Sequence, residues 1–344
     1  MPSVRWMLRF ALISLIGLFA FVQPAAAQGS CDTSGLRTQE RPDPEGTPTR
    51  VELGILVNDV LSVDDVGQAA TVDLIAVAQW TDLRLAALAG CRVQKNSVWF
   101  PRVEILNSNQ LRPLRINLAD VVEIGEGGKV RYVQRLNGPI STYHNLARFP
   151  FDHHSFKFSI VTFDFPADQL VLDVDKSFTR LGSKQNIADW DVHSASGSSA
   201  VEPVEELGAT YSVFTLTIDL SRSDTFYVWR LILPMMLIVA MSFGVFWINP
   251  ERFGPQISLS ATAMLTLIAF QFFVAGALPK LSYFTTLDKL IVTATAIVFL
   301  TLLQSIYTAN LVSREKSALA RRVDRRCRWL FPLIFLGAWA FILA

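Results

Sequence analysis

Residues 256–278 read QISLSATAMLTLIAFQFFVAGAL and carry no charged side chain. The stretch is long enough to cross the roughly 30 Å of bilayer hydrocarbon as one α-helix. At intervals of four, three, four and three residues it carries a stripe on one helical face: Ser258, Thr262, Leu265, Ala269 and Phe272. Hydroxyls at one end and bulky apolar groups at the other are typical of a helix lining a water-filled pore with a hydrophobic constriction. The alternative is a buried helix whose hydroxyls bond their own backbone.

This helix has three apolar companions. The four predicted spans lie at about residues 226–247, 256–278, 287–311 and 328–344. Near the N-terminus, an apolar run follows Arg5 and Arg9 and ends at three alanines, which is typical of a cleaved signal peptide over residues 1–27. The domain that follows is therefore expected outside the cytoplasm, and residues 226–344 are expected to form the transmembrane domain.

The charge of the link between the third and fourth spans agrees with this topology. The link carries only two acids, Glu315 and Asp324, against a larger set of bases: Arg314, Lys316, Arg321, Arg322, Arg325, Arg326 and Arg328. Cytoplasmic loops are enriched in Lys and Arg, so the first span runs inward and the C-terminus returns to the outside. We expect a multi-pass protein of the plasma membrane.

Residues 28–225 are predicted to fold as a β-sandwich of the immunoglobulin-like kind. Apolar residues alternate with others in several short runs, such as residues 51–57 and 214–220, and turn signals separate them at residues 125–128, 137–139 and 193–200. Cys31 and Cys91 fall on the exported side, where they either form a disulfide or stay unpaired. The fold class is thus an extracellular all-β sandwich plus a four-helix transmembrane bundle.

Composition excludes several other classes. The formal net charge is +1 and there is no basic stripe outside the short link, which argues against a nucleic-acid partner. His153 and His154 would point to opposite faces of a strand and cannot easily chelate one metal ion. No G-x-S-x-G, H-E-x-x-H or P-loop pattern occurs. We expect neither an enzyme nor a cofactor or metal site.

Short motifs along the chain carry a resemblance to a known family. They are Trp80-Thr81-Asp82-Leu83-Arg84-Leu85, Trp99-Phe100-Pro101 with Asn107, Phe149-Pro150-Phe151-Asp152, Arg222 with Leu233-Pro234, and Leu278–Tyr283. Because these motifs occur in this order, the sequence resembles the pentameric ligand-gated ion channels (the Cys-loop receptor superfamily) over residues 45–344. The cysteines of the signature loop (residues 142–156) are replaced by Thr142 and Phe156. This departure and the short cytoplasmic link resemble the bacterial members.

The resemblance implies a homopentamer in which the second span surrounds a central pore. Rings of Ser258 and Thr262 would then contact ions near the inner mouth, Leu265 and Phe272 would close the pore by dewetting, and Ala269 would line it or act as a spacer. The stretch ahead of the span lacks the acid of cation channels, and Gln256 stands where anion channels have a base. Residues 247–249 resemble the anion-selective members, so the expectation leans to anions while the selectivity stays open.

An agonist site between neighbouring extracellular domains is also implied. The positions that match the family's aromatic box are Phe163, Tyr211, Leu106 and Ile75. Since two of them are not aromatic, an amine held by cation–π attraction is disfavoured. Arg131 and Arg135 share one strand face, and Arg135 matches a ligand-facing position of glycine-type receptors. A small carboxylate ligand is one hypothesis, two solvated strand arginines are the other, and the agonist stays unidentified.

A further set matches the family's junction between the two domains: Asp65, Pro150, Asp152, Arg222 and Lys280. Opposite charges at a membrane edge can transmit a domain twist to a pore helix. The sequence therefore predicts a ligand-gated ion channel. The alternative is a non-conducting periplasmic ligand sensor anchored in the membrane, which leaves the hydroxyl stripe without a purpose.

Overall fold

A computed structural model describes residues 31–36, 38–43, 46–107, 112–114, 120–205, 208–277 and 281–344. The predicted signal peptide and Lys280 lie outside the described residues. Within the described part, a β-rich domain comes first and a bundle of long helices follows it. This order agrees with the fold class predicted from the sequence.

The β domain is built from twelve described strands. They are β1 (Thr49–Asp64), β2 (Ala69–Thr81), β3 (Arg92–Gln94), β4 (Glu104–Ile105), β5 (Arg112–Leu114), β6 (Val121–Ile124), β7 (Lys129–Ser141), β8 (His153–Val161), β9 (Leu170–Val174), β10 (Arg180–Leu181), β11 (Trp190–Val204) and β12 (Ala209–Arg222). One sheet has the order β10-β1-β2-β7-β6-β3, with β5 paired to β7 and β9 to β1. The other has the order β11-β12-β8-β4.

The core of the β domain lies between these two sheets. Alternation places one side of each long strand inward, so Leu53 and Leu74 of the first sheet share one buried cluster with Phe158, Phe214 and Leu216 of the second. All five side chains are almost completely buried. The pairing of the described strands is antiparallel except that β1 runs parallel to β9 and β10. Two sheets packed face to face over such a core form a β-sandwich.

Two predicted turns are wrong. Residues 137–139 lie inside β7, and residues 193–200 lie inside β11. The ladder of β7 runs along the whole length of β2, and that of β11 along β12. Continuous cross-strand pairing outweighs the local turn preference of Asn, Gly and Ser, because propensity is a weak signal beside tertiary packing.

Cys31 and Cys91 form a disulfide, which decides between the two possibilities left open by the sequence. The bond joins the lead-in segment to the residue just before β3. Cys327, in the last helix, is a free thiol.

Within the described part of the chain, four helices are long and apolar enough to cross a membrane. They are the first membrane helix (Thr225–Trp247), the second (Phe253–Ala277), the third (Thr286–Ser313) and the fourth (Ser317–Leu343). The first contains a π-helical segment, Val228–Ile232, just ahead of Pro234. Proline has no backbone N–H and leaves the carbonyl four residues earlier without its usual partner, which favours such a widened turn.

The fourth helix differs most from its predicted bounds. It begins at Ser317 rather than near residue 328, so most of the predicted basic link is helical and only residues 314–316 join the third helix to it. Arginine is a good helix former, and hydropathy marks the stretch inside hydrocarbon rather than the length of a helix. The fourth helix therefore carries its arginines on its first turns.

Candidate functional site

Arg222, the last residue of β12, is the centre of a buried ionic cluster at the junction of the two domains. Its Nε donates to Asp152 Oδ1 at 2.9 Å, and its Nη2 donates to Asp65 Oδ1 at 2.9 Å and to Asp152 Oδ2 at 3.2 Å. The Arg222 and Asp152 side chains are almost fully buried. Three of the predicted junction residues are thus in direct contact, and Pro150 lies buried in the same loop.

Two aromatic rings cover the guanidinium of Arg222. The Arg222 Cζ atom lies 4.2 Å from the centroid of the Trp190 ring and 4.7 Å from that of Phe149. A cation between ring faces gains electrostatic attraction that grows as water is removed. The rings therefore shield the ion pairs from solvent and fix the plane of the guanidinium.

The pKa values of the two carboxyl groups show which effect dominates. Burial alone would raise both pKa values, but hydrogen bonds from a histidine and from Arg222 outweigh it. The pKa of Asp65 is lowered, and that of Asp152 falls from 3.8 to about 2. Burial would also lower the pKa of Arg222, but the two carboxylates raise it. All three groups are charged at neutral pH.

Two histidines belong to this cluster and were missed from the sequence. His154 Nε2 lies 2.7 Å from Asp152 Oδ2, and His144 Nε2 lies 3.3 Å from Asp65 Oδ1. Their ring centroids are 5.0 Å apart. Sequence reasoning considered His153-His154 only as metal ligands and rejected them in that role. The available signal was the period-2 alternation of β8, which turns His154 inward with Phe156.

The signature loop contacts the membrane helices directly. The Leu146 N–H donates to the Tyr283 hydroxyl at 3.0 Å, and the Leu287 N–H donates to the Phe149 carbonyl at 3.1 Å. The Thr286 hydroxyl donates to the Ala147 carbonyl at 3.2 Å. One loop therefore bonds the start of the third membrane helix and, through Asp152, the end of β12.

The stripe on the second membrane helix is exposed along its whole length in the single chain: Ser258, Thr262, Leu265, Ala269 and Phe272. Leu265 is 69% exposed and Phe272 is 77% exposed. On the other side of the same helix, Ser260, Ala263 and Leu267 are completely buried. The helix packs its back against the bundle and leaves the stripe without intrachain cover.

Gln256 does not belong to the exposed stripe. It is completely buried, and its Nε2 donates to the Ile248 carbonyl at 2.9 Å and to Asp324 Oδ2 at 3.1 Å. Asp324 of the fourth helix also accepts a hydrogen bond of 2.6 Å from Gln304 of the third. This amide–carboxylate cluster was not anticipated, because its members are far apart in sequence.

The predicted ligand residues divide between the two sheets. At one end of the four-stranded sheet, Leu106 follows β4, Phe163 follows β8 and Tyr211 lies near the start of β12. On the eight-stranded sheet, Ile75 of β2 is the cross-strand partner of Arg135 of β7. Within one chain the two groups lie on different sheets and do not form a single pocket.

Each of the two arginines of β7 lies beside a carboxylate. Arg135 Nε donates to Asp73 Oδ1 at 2.7 Å, and the Asp73 side chain is almost fully buried. Asp73 also accepts a hydrogen bond of 2.7 Å from Asn58. Arg131 lies 3.6 Å from Glu123 in a more exposed pair. Sequence reasoning missed Asp73, although its period-2 spacing from Ile75 was a signal.

The fold and this junction define a class of protein: a β-sandwich joined through a charged loop to four membrane helices. Residues 33–224 match the ligand binding domain of the neurotransmitter-gated ion channels, and residues 231–319 match the transmembrane region of those channels. Since the two matches span most of the chain, the protein belongs to the neurotransmitter-gated ion-channel family. This family consists of membrane-embedded ligand-gated channels and not of enzymes.

Individual relatives are distant. The gamma-1 subunit of the gamma-aminobutyric acid receptor of Homo sapiens is 25% identical over 301 residues, which cover 86% of this chain and 64% of the subunit. The proton-gated ion channel of Gloeobacter violaceus is 25% identical over 301 residues, covering 85% of this chain and 81% of that protein. The chain thus spans less than two thirds of the length of the receptor subunit.

Proposed function

We propose that this chain is the subunit of a homopentameric ligand-gated ion channel in a bacterial inner membrane, with a signal peptide at residues 1–27, an extracellular domain at residues 28–225 and a transmembrane domain at residues 226–344. The exposed stripe of the second membrane helix carries the proposal. Five copies arranged around an axis would turn the stripe into the wall of a pore. The bacterial relative supports the choice of membrane.

Leu265 and Phe272 are the proposed gates. A ring of bulky apolar side chains offers no replacement for the hydration shell of an ion, so a narrow ring dewets and stops conduction. Below them, Ser258 and Thr262 provide hydroxyl oxygens, and Ala269 stands between the two gates. Since no charged side chain belongs to the stripe, we expect weak ion selection, with the lean towards anions to be decided by reversal potentials.

The proposed agonist site lies between two subunits. The group of Phe163, Tyr211 and Leu106 on one subunit would face Ile75, Arg131 and Arg135 of its neighbour, which explains why one chain does not unite them. Because Asp73 already neutralises Arg135, a carboxylate ligand would rely more on Arg131 than the sequence indicated.

The signal would reach the membrane through the cluster of Asp65, Asp152 and Arg222, with Pro150 shaping the loop. Lys280 stays a prediction from the sequence. The hydrogen bonds from the signature loop to Tyr283 and to the third membrane helix support this role.

The test is current recorded from oocytes or liposomes that contain the full chain. The named relatives direct the screen: gamma-aminobutyric acid and other small amino acids, protons, amines and divalent ions. Current opened by amines and not by amino acids would contradict the carboxylate hypothesis. Ligand binding without any current would favour the non-conducting sensor instead.

Leu265→Ser gives the sharpest variant, because a hydroxyl ring wets the constriction and should increase the current at rest or at low agonist concentration. The matched control is Leu303→Ser on the third membrane helix, a leucine that is also exposed in the single chain at 45%. Equal currents from the two variants would show that Leu265 does not line the conduction path.

A further inference from the structure

Ahead of β1, a segment without helix or strand structure lies against the β domain. It comprises the described residues 31–36 and 38–43, and we call it the N-terminal strap. At its start, a disulfide joins Cys31 to Cys91, a buried residue just before β3. At its other end, the chain continues into β1 at Thr49. The strap is therefore covalently fixed to the domain on both sides.

Two buried polar side chains hold the strap between its fixed ends. The Thr38 hydroxyl donates to the Ser97 carbonyl at 2.7 Å. Arg41 Nη1 donates to the Gln169 carbonyl at 2.9 Å and to the Thr49 hydroxyl at 3.0 Å. Thr38 is 2% exposed and Arg41 is 8% exposed. Because a buried guanidinium needs acceptors for its N–H groups, these bonds fix the position of Arg41.

Both anchors of the strap lead to one loop of the β domain. Gln169 ends the loop between β8 and β9, residues 162–169, which we call the Phe163 loop after the predicted ligand residue that it carries. The other anchor ends just before Trp99, whose ring centroid lies 5.9 Å from that of Phe165 in the same loop. The strap thus holds the Phe163 loop directly at its end and, through the tryptophan, at its middle.

The Phe163 loop in turn contacts the strand that carries a second predicted ligand residue. The Ala167 N–H donates to the Thr210 carbonyl at 2.8 Å, directly before Tyr211 in β12. Loops often carry binding residues, and the order of a loop before binding affects the affinity for a ligand. A change in the order of this loop would therefore affect both Phe163 and Tyr211.

We propose that the N-terminal strap is a redox-sensitive clamp that positions the Phe163 loop. With the disulfide intact, Thr38 and Arg41 form their bonds within a short segment fixed at both ends, so little conformational entropy is lost. Once the disulfide is broken, only noncovalent contacts hold the strap, and the loop loses order. The clamp does not depend on conduction, whereas its consequence for ligand affinity rests on the proposed function.

The chemistry of release is thiol–disulfide exchange with a dithiol reductant. A thiolate of the reductant attacks the S–S bond, and the second thiol completes the exchange. Two electrons and two protons pass to the protein, so that Cys31 and Cys91 become thiols and the reductant becomes a disulfide. Cys31 is exposed, so the bond is open to this attack.

Hydrogen–deuterium exchange of the purified full chain tests the clamp without ligand or current. The Ala167 N–H donates to the Thr210 carbonyl, and the Gln169 N–H donates to the Pro166 carbonyl at 2.9 Å. Exchange of these two amides reports how often the Phe163 loop opens. With dithiothreitol, their exchange rate should rise about three- to tenfold, as expected for the loss of about one hydrogen bond. Residues 214–220 of the core should keep their rate.

Variants of the cysteines separate this bond from other effects of the reductant. Cys31→Ser with Cys91→Ser should raise exchange in the Phe163 loop as much as dithiothreitol does, and should no longer respond to it. Cys327→Ser is the control, because it removes the free thiol of the fourth membrane helix. Its exchange and its response to dithiothreitol should equal those of the wild type.

A variant of Arg41 tests the anchor while the disulfide stays intact. Arg41→Met keeps an unbranched side chain and removes every donor, so exchange in the Phe163 loop should rise about three- to tenfold. Arg180→Met is the matched control, because Arg180 lies at an exposed position of β10. The control should leave exchange in the loop unchanged, and equal effects of the two variants would contradict the role of Arg41.

Two results from the wild-type chain would overturn the proposal, whether or not the variants fold. One is unchanged exchange in the Phe163 loop after complete reduction, with reduction checked by thiol labelling. The other is an equal rise in residues 214–220, because the disulfide would then stabilise the whole domain rather than this loop. A chain that shows the local rise but carries no current would contradict the proposed function and support the clamp.

Discussion

Two buried carboxylates at opposite ends of the membrane domain are held in different ways. At the outer junction, Asp152 contacts Arg222 at 2.9 Å and His154 at 2.7 Å, so its charge is paired. At the inner end, Asp324 accepts hydrogen bonds from the neutral amides of Gln256 and Gln304. The first arrangement depends on charge and the second on hydrogen-bond geometry.

This difference between the two carboxylates indicates which substitutions each end of the membrane domain can tolerate. Removal of one member of a buried ion pair leaves an uncompensated charge, which is strongly destabilising. A carboxylate held by amides can be replaced by another amide, provided that each donor finds an acceptor. We therefore expect the outer junction to be sensitive to charge and the inner cluster to be sensitive to the loss of polar atoms.

The largest expected effect comes from Arg222→Ala. The substitution leaves Asp65 and Asp152 without their shared cation and opens the space between Trp190 and Phe149. We expect the free energy of unfolding to fall by about 3–5 kcal/mol, with loss of assembly or gating. Thermal unfolding of the purified protein measures the stability, size-exclusion chromatography measures the assembly, and current recordings measure the gating.

Arg50→Ala is the control, because Arg50 pairs with Asp173 on an exposed surface, with 73% of its side chain accessible. Its loss should cost no more than about 1 kcal/mol. If Arg222→Ala has normal stability and carries normal currents, Arg222 has no role in the junction between the two domains.

A smaller effect is expected from acid. The pKa of Asp152 is lowered from 3.8 to about 2, so its ionised form stabilises the fold. That contribution, about 2 kcal/mol, is complete at pH values well above 3.8 and is lost as the pH falls through 2. The difference in unfolding free energy between the wild type and Asp152→Asn should therefore shrink between pH 5 and pH 2.

The exposed carboxylate of Asp173 provides the matched comparison for this titration. Its replacement by Asn should change stability little at any pH in that range, since its partner Arg50 is exposed. A gap between wild type and Asp152→Asn that stays constant from pH 5 to pH 2 would show that charge is not what stabilises the outer junction.

The smallest effect is expected from Asp324→Asn. Among the described residues, the Oε1 atoms of Gln256 and Gln304 have no hydrogen-bond partner, so a rotated glutamine amide can accept from the new Asn NH₂ group. We expect a loss of about 1 kcal/mol or less. Asp324→Leu, which removes every acceptor, should cost clearly more. Thermal unfolding measures the loss of stability in both variants. Equal losses would show that hydrogen bonding does not stabilise the inner cluster, contrary to the contrast drawn with the outer junction.

Sequence reasoning reached the outer junction and missed the inner one for a physical reason. Asp152 lies within a short linear motif, and Arg222 directly precedes an apolar span, so local patterns mark both. The contact between Gln256 and Asp324 joins residues 68 positions apart on different helices. Such pairs depend on helix rotation, which the periodicity of a single helix does not determine.

Contacts between distant segments also explain the two wrong turns and the missed partner of Arg135. Residues 137–139 carry strong local turn signals, yet the partner strand keeps them extended. The fold class and the four helices follow from composition and period, and period also places the stripe on one helical face. By contrast, the pairing of Arg135 with Asp73 requires the register between β7 and β2, which only the structure supplies.

The bonds of the signature loop have a mechanical consequence. Among the described residues, its backbone hydrogen bonds to the membrane domain reach Tyr283 and the start of the third helix, and none reaches the second. The third helix is bonded sideways to the second by Gln271 with Thr295 and by Ser260 with Ser305. A displacement of the signature loop would therefore reach the second helix indirectly, through the third helix and the side-chain hydrogen bonds between the two helices. In a channel that works as proposed, the second and third helices would move together as one rigid unit.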